Sequence, residues 1–370
     1  MHLCLFISGL QGGGAERVAT TLARAWSANS RISRISLVTC TTNGEPPEAL
    51  PTNIDLRRLP LSQKSGNLIE AIGANFARVR LLRRALRDLR PDAAIAFMDE
   101  MAVLVTLAAL GTDIPVITSL RTDPDPPNLE KNWRRLRRPV YRFLSDAVVV
   151  QTTAGLNRAS KLFPGAKLCS IGNPLPELPE IQDASGREPM IVSAGRLIPS
   201  KGFDVLIKAF ADSRWRDGGW RLRIYGEGPE RIRLERLIVE LGLEGAVDIP
   251  GFEQDILARL SEAKIFAFAS RSEGFPNALL EAAAMGCACV STDCDTGPRE
   301  ILDNGRLGLL VPVDDLHSLT DALNRLMADA ALRGKFANHW SEFRRHYNTA
   351  TVSERWIDLI VSLIRPTTSF

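Results

Sequence analysis

Two carboxylates, Glu273 and Glu281, stand eight residues apart in the stretch Ser270-Arg271-Ser272-Glu273-Gly274-Phe275-Pro276-Asn277-Ala278-Leu279-Leu280-Glu281. Glu273 falls in the loop after an apolar strand and Glu281 inside the next helix. The start of that helix, Asn277-Ala278-Leu279, therefore lies between them. Its N–H groups and positive dipole end suit an anion. One carboxylate can accept hydrogen bonds from sugar hydroxyls and the other from a ribose diol. Helix capping explains Glu273 alone, but with a full turn between the two it cannot explain both.

A second constellation, Ala194-Gly195-Arg196-Leu197-Ile198-Pro199-Ser200-Lys201-Gly202-Phe203, puts Arg196 and Lys201 five residues apart on one loop. Arg grips phosphate oxygens with a planar fork and Lys acts as a compact point charge. The pair suits a diphosphate without requiring a metal. A third, Gly9-Leu10-Gln11-Gly12-Gly13-Gly14-Ala15-Glu16-Arg17, joins a strand to a helix. There Gly12, Gly13 and Gly14 let the backbone approach a ligand closely. Its spacing is not Gly-x-Gly-x-x-Gly, and no acidic residue follows the second strand in a convincing place, which argues against a dinucleotide-dependent dehydrogenase.

These loops need scaffolds on both halves of the chain. Short apolar runs (3–8, 35–39, 93–97, 116–119, 147–150) alternate with helical patterns, among them 15–26 and a long amphipathic stretch, 68–89, whose other face is rich in Arg. A second alternation runs from 190 to 291, and 349–364 reads as a final amphipathic helix. Buried strands separated by helices imply α/β architecture with parallel, doubly wound sheets. The polar, Pro-rich stretch beginning at Ile171-Gly172-Asn173-Pro174 marks a boundary. The expected domains are 1–173, 174–345 and a helix-bearing tail, 346–370. Two such halves place ligands at the carboxyl ends of their strands, in a cleft between them.

With 370 residues the chain is long enough for two cores. No apolar run approaches the ~20 residues of a membrane span, and the N-terminus reads as a strand, not a signal peptide, so a cytoplasmic location is expected. Six cysteines and four histidines show no metal-ligand spacing, and neither a metal nor another cofactor is expected. The net charge of +3 hides an asymmetry: 23 Lys+Arg against 14 Asp+Glu up to Lys167, and an acidic excess after it. The basic run Lys131-Asn132-Trp133-Arg134-Arg135-Leu136-Arg137-Arg138-Pro139-Val140-Tyr141-Arg142-Phe143 suits an anionic membrane surface. No nucleic-acid partner is expected.

The ordered set of Gly12-Gly13-Gly14-Ala15-Glu16-Arg17, Gly195-Arg196-Leu197-x3-Lys201-Gly202-Phe203, Tyr225-Gly226-Glu227-Gly228-Pro229-Glu230, Glu273-x7-Glu281 and Thr296-Gly297-Pro298-Arg299-Glu300-Ile301 resembles family 4 retaining glycosyltransferases of the GT-B fold, over about residues 9–315. The resemblance implies a donor diphosphate held by Arg196 and Lys201 with the amides of Asn277, Ala278 and Leu279. It implies Glu273 on the donor sugar, Glu281 on the ribose, the Gly12–Gly14 loop near the phosphates, and residues near Gly226 and from Ile249 to Phe252 beside the base. The tail helix would cross back to the first domain.

Many relatives carry a His after the strand matching Val116–Ser119; here Arg121 stands in that region, with Asp123 nearby as a base or a turn residue. Arg121 and Asp123 are therefore acceptor-side candidates. Front-face attack, in which the leaving phosphate takes the acceptor proton, needs no protein base. The expected activity is retaining transfer of a hexose or N-acetylhexosamine from a nucleotide diphosphate sugar, UDP-sugar foremost, to a polyprenyl-diphosphate-linked glycan. A peripheral position on the inner face of the cell membrane would follow. The alternatives are a UDP-sugar epimerase, which wants acid/base groups that this His-poor chain hardly offers, and a non-catalytic nucleotide-sugar-binding protein, which would have lost one of Glu273, Glu281, Arg196 or Lys201.

Overall fold

The computed structural model describes the chain except residues 11–12, 42–49, 61–67, 127–128, 180–185, 215–217 and 365–370. The chain divides into two compact units, Met1–Pro174 with Thr349–Phe370, and Leu175–Asn348.

In the first unit the order is β1 (His2–Ile7), α1 (Gly14–Ser27), β2 (Arg34–Thr39), β3 (Ile54–Arg58), α2 (Leu68–Leu89), β4 (Ala93–Phe97), α3 (Asp99–Ala109), β5 (Val116–Ser119), α4 (Lys131–Phe143), β6 (Ala147–Val150), α5 (Thr153–Leu162) and β7 (Leu168–Ser170). The strands form one sheet in the order β3-β2-β1-β4-β5-β6-β7, and every pairing is parallel. A parallel sheet carries helices on both faces, so its central strands are apolar throughout rather than alternating. β4, with sequence AAIAF, is buried at all five positions. The apolar run ending at Leu110 forms α3, whose eleven residues are too few to span a bilayer. No helix among the described residues is long and apolar enough to cross a membrane.

The second unit runs β8 (Glu188–Ala194), a 3-10 turn at Pro199–Lys201, α6 (Phe203–Ala211), β9 (Arg221–Tyr225), α7 (Arg231–Glu240), β10 (Val247–Gly251), α8 (Ile256–Glu262), β11 (Ala263–Phe268), α9 (Asn277–Ala284), β12 (Ala288–Thr292), α10 (Pro298–Ile301), β13 (Gly308–Val311), α11 (Leu316–Ala328) and α12 (Ala330–Phe343). Its sheet has the order β10-β9-β8-β11-β12-β13, again parallel throughout. The final helix, α13 (Thr349–Leu363), belongs to the first unit. There Trp356 meets Trp26 of α1 edge to face, with ring centroids 6.3 Å apart, and both rings are fully buried. Such an aromatic pair adds about 0.5–1.5 kcal/mol beyond its area burial.

Each sheet reverses its strand order once, at β1/β4 in the first unit and at β8/β11 in the second. The loops leaving two neighbouring strands at such a point diverge and open a crevice at the strands' carboxyl ends. In the second unit those loops are the one after β8, which carries Arg196 and Lys201, and the one after β11, which carries Glu273.

Candidate functional site

Topology brings Lys201 and Glu273, 72 residues apart, into contact: Lys201 Nζ lies 2.5 Å from Glu273 Oε1. The same oxygen accepts the Ser270 hydroxyl at 2.5 Å. Both partners are largely sheltered, with side chains 19% and 9% exposed. An ammonium and a hydroxyl on one carboxylate oxygen fix the carboxylate's orientation and leave Oε2 for another donor. Thr296 braces the same loop, its hydroxyl donating to the Glu273 carbonyl. The Cys294 thiol near this carboxylate is pushed up to about 12, by burial first and by the Glu273 charge second.

The approach of the two loops depends on Gly202. Its φ is +64°, and an added Cβ would sit 2.0 Å from the Ala269 carbonyl oxygen, so no other residue fits without moving the end of β11. Gly226 has the same character, since a Cβ there would lie 1.9 Å from the Gly195 carbonyl. This close packing accounts for the glycine at 226 whether or not a ligand touches it.

Arg271 clasps the loops together. Its Nε donates to Asp314 Oδ1 at 2.7 Å, its Nη1 to the Pro199 carbonyl and to Asp204 Oδ1, the latter at 3.3 Å, and its backbone N–H to the Ser200 carbonyl at 2.8 Å. Burial pulls the Asp204 carboxyl upward, but the hydrogen bond and charge of Arg271, with Arg233, outweigh it and hold Asp204 below its ordinary value. Reading the motif did not assign roles to Ser270, Arg271 or Thr296. They lie inside quoted motifs, but spacing along the chain does not reveal partners on other loops, 23 residues away for Thr296 and about 70 for Arg271.

The helix α9 starts at Asn277, with Pro276 at its cap and no side-chain cap. Leu280 N–H closes on the Pro276 carbonyl at 3.1 Å, and Pro276 itself offers no side-chain hydrogen bond at the cap. Glu281 is 3% exposed and lies one turn beyond Asn277. Residues four apart share a helix face and side chains lean toward the N-terminus, so Glu281 leans toward the same end of the helix. It is thus neither a solvent-facing surface acid nor a first-turn cap.

Arg196 differs from Lys201. It is exposed, and its guanidinium has no ion pair among the described residues. Ile249 lies in the core at 9% exposure, so only its backbone reaches the end of β10; its carbonyl accepts Arg231 Nη1 at 3.0 Å. Phe252, directly after β10, is 71% exposed and offers an open aromatic face.

In the first unit, Gly12 lies outside the described residues. Gly13 caps α1, and its N–H donates to Glu16 Oε2 at 3.0 Å, while exposed Gly14 opens the helix. Arg121 is 8% exposed: Nε donates to Ser119 Oγ at 2.8 Å, Nη1 to Asn173 Oδ1 at 2.7 Å, and the guanidinium lies 5.3 Å from the Phe97 ring and 5.4 Å from the Trp356 ring. Burial lowers its pKa to about 9, so it stays a cation near neutral pH. Asp123 is buried, takes the Asp125 N–H at 2.7 Å and pairs with Arg158 at 3.4 Å, the bonding of a turn residue. Among the described residues no group of three or more His, Cys, Asp or Glu could hold a metal ion.

Residues 176–346 match the family described as glycosyl transferases group 1, and residues 13–174 match the glycosyl transferase 4-like domain. A Campylobacter jejuni enzyme named N-acetylgalactosamine-N,N'-diacetylbacillosaminyl-diphospho-undecaprenol 4-alpha-N-acetylgalactosaminyltransferase is 29% identical over 351 residues, covering 91% of this chain and 93% of that protein. An exopolysaccharide phosphotransferase of Streptomyces coelicolor is 37% identical over 200 residues, which cover 54% of this chain and 21% of that protein. The crystal structure of Anabaena HepE in complex with UDP and glucose superposes with a TM-score of 0.79 at 17% identity, over 98% of this chain and 100% of that one. Two parallel Rossmann-like units with these matches define a glycosyltransferase of the GT-B fold. Within that class the chain belongs to the family 4-like glycosyltransferases.

Proposed function

We propose that this glycosyltransferase moves a hexose or N-acetylhexosamine from a UDP-sugar to a polyprenyl-diphosphate-linked glycan, with retention at the anomeric carbon. The Lys201–Glu273–Ser270 cluster carries the reading, because it puts a cation and an oriented carboxylate in the loop that leads into the start of α9. In this mechanism the donor diphosphate lies against Lys201, Arg196 and the amides of Asn277, Ala278 and Leu279. Glu273 accepts from the sugar hydroxyls, Glu281 holds the ribose diol, and Phe252 lies beside the base. The bond from the anomeric carbon to the β-phosphate oxygen breaks while the acceptor oxygen bonds to that carbon on the same face. The acceptor proton passes to the leaving phosphate oxygen. Catalysis then comes from positioning and from stabilising the charge of the departing diphosphate.

The lipid-linked acceptor is supported by the name of the Campylobacter relative, and the uridine nucleotide by the UDP bound to HepE. A peripheral position on the inner face of the membrane, against anionic lipid, follows from such an acceptor and from the basic first unit. The deciding experiment incubates the protein with a panel of UDP-sugars and a polyprenyl-diphosphate glycan. The product's anomeric configuration is then read by NMR, and EDTA is added in parallel. Retention with full activity in EDTA is expected. An inverted product, or conversion of one UDP-sugar to its epimer without acceptor, contradicts the proposal.

A further inference from the structure

The helix α4 has three faces. Arg137, Val140 and Tyr141 are buried and Trp133 packs half-buried against the core. Arg137 Nη1 lies 2.8 Å from Asp99 Oδ1, and the Tyr141 hydroxyl donates to the same oxygen at 3.0 Å. These four residues are therefore withdrawn from any partner, which corrects the reading of 131–143 as one mixed basic-aromatic surface. The remaining residues sort by helical spacing. Lys131, Arg135, Arg138 and Arg142 advance by four, three and four residues and form one exposed cationic stripe. Leu136, Pro139 and Phe143 advance by three and four and form an exposed apolar stripe beside it. Phe143 is 69% exposed and Leu136 42%.

None of the four stripe cations makes an ion pair among the described residues. At the helix end Arg138, Arg142 and Phe143 meet Lys161, Leu162 and Pro164 around a shallow pocket of about 400 Å³. Phe143 lies under the Arg142 guanidinium, 4.8 Å from ring centroid to Cζ. Arg138, Arg142 and Lys161, without ion pairs among the described residues, line this one apolar-floored pocket, so their fields add there and favour an anion. A cationic stripe beside an exposed apolar stripe is the pattern of a helix lying in a bilayer interface, the apolar residues inserted and the cations among the headgroups.

We infer that the outer face of α4, with the end of α5, is the surface by which this protein lies on an anionic bilayer. The pocket of Arg138, Arg142 and Lys161 takes one lipid phosphate, and Phe143 enters the acyl boundary. This rests on the reading above that the acceptor is lipid-linked, and it names the surface that meets the membrane. The test is flotation of the full chain with phosphatidylglycerol or phosphatidylcholine vesicles, at low and at high salt. Wild type should bind the anionic vesicles alone, and high salt should release it. The triple variant Arg138→Glu/Arg142→Glu/Lys161→Glu should lower binding at least about a hundredfold, from about fivefold per charge. Phe143→Ser should lower it about tenfold and leave the salt sensitivity unchanged.

Arg84→Glu/Arg87→Glu on α2 is the control for charge alone. Equal binding to both lipids, an unaffected triple variant, or an equal loss in the α2 variant overturns the inference. The milder Arg138→Gln/Arg142→Gln variant, with UDP binding measured on each protein, separates lost docking from lost folding. Transfer to a short-chain, water-soluble diphosphate acceptor separates the two proposals. If wild type performs that transfer but ignores vesicles, the docking surface is wrong and the function stands. If it binds vesicles through α4 but uses no diphosphate-linked acceptor, the function is wrong and the surface stands.

Discussion

On the carboxyl edge of the second sheet, Lys201 is tied to Glu273 and Arg271 to Asp204 and Asp314. On α4 of the first unit, Lys131, Arg135, Arg138 and Arg142 stand without partners among the described residues. Paired charges give a fixed geometry and little spare attraction for an outside ion. Unpaired ones give attraction with little geometry, which is what a fluid headgroup layer needs. Chemistry that depends on sub-ångström placement belongs to the first arrangement. The exposed Arg196, without an ion pair among the described residues, and the paired Lys201 combine the two within one loop.

Breaking the held region should have the larger consequences. Lys201→Met removes a cation from the diphosphate and leaves Glu273 without its ammonium, so turnover should fall about 10²–10³-fold. A turnover within threefold of wild type would remove Lys201 from the reaction. Arg271→Met should cost about tenfold in kcat with a smaller change in UDP affinity, because its guanidinium is spent on tying the Lys201 loop to the Glu273 loop. Arg271→Lys should recover part of it, as one ammonium replaces a fork. A Tm drop with kcat unchanged would make the clasp purely structural.

Acid should act more gently, through Asp204. Its pKa is depressed in the folded protein, so its contribution is fully present above the unfolded value near 3.8 and is lost as pH falls through the lower folded value. Asp204→Asn should flatten that acid limb of a Tm-against-pH curve, and an unchanged limb would assign it elsewhere. Smallest of all, Cys40, Cys287 and Cys294, pushed up to about 12 chiefly by burial, should resist alkylation at pH 7.5 in the folded protein. Rapid labelling counted by mass would contradict that protection.

Much of the scaffold is readable along the chain because parallel strands are apolar runs and the helices between them are periodic. Ala93–Phe97 and Val116–Ser119 are strands at the residues where the runs stand. The edge strand Ile54–Arg58 escapes such reading because its sequence, IDLRR, is half polar. At the site, Lys201, Glu273 and Glu281 stand out along the chain by type and spacing, as cation and paired carboxylates around a strand-to-helix turn. That Lys201 and Glu273 touch was not, because it follows from strand order at β8/β11 rather than from spacing. Arg137 shows the same limit: it reads as one cation among many, and its buried pairing with Asp99, 38 residues earlier, depends on how α3 and α4 pack.

The central claim is that the second unit holds a sugar nucleotide with Glu273 on the transferred sugar and Glu281 on the ribose. Calorimetric titration of Glu273→Ala and Glu281→Ala, each with UDP and with the UDP-sugar, tests it most directly. UDP contains the ribose and lacks the sugar, so Glu281→Ala should weaken both ligands about tenfold or more, the loss of a charge-assisted bond of ~1.5–3 kcal/mol. Glu273→Ala should leave UDP affinity nearly intact, weaken the UDP-sugar and abolish most transfer. Equal losses of UDP affinity in the two variants would contradict the division of roles on which the account stands.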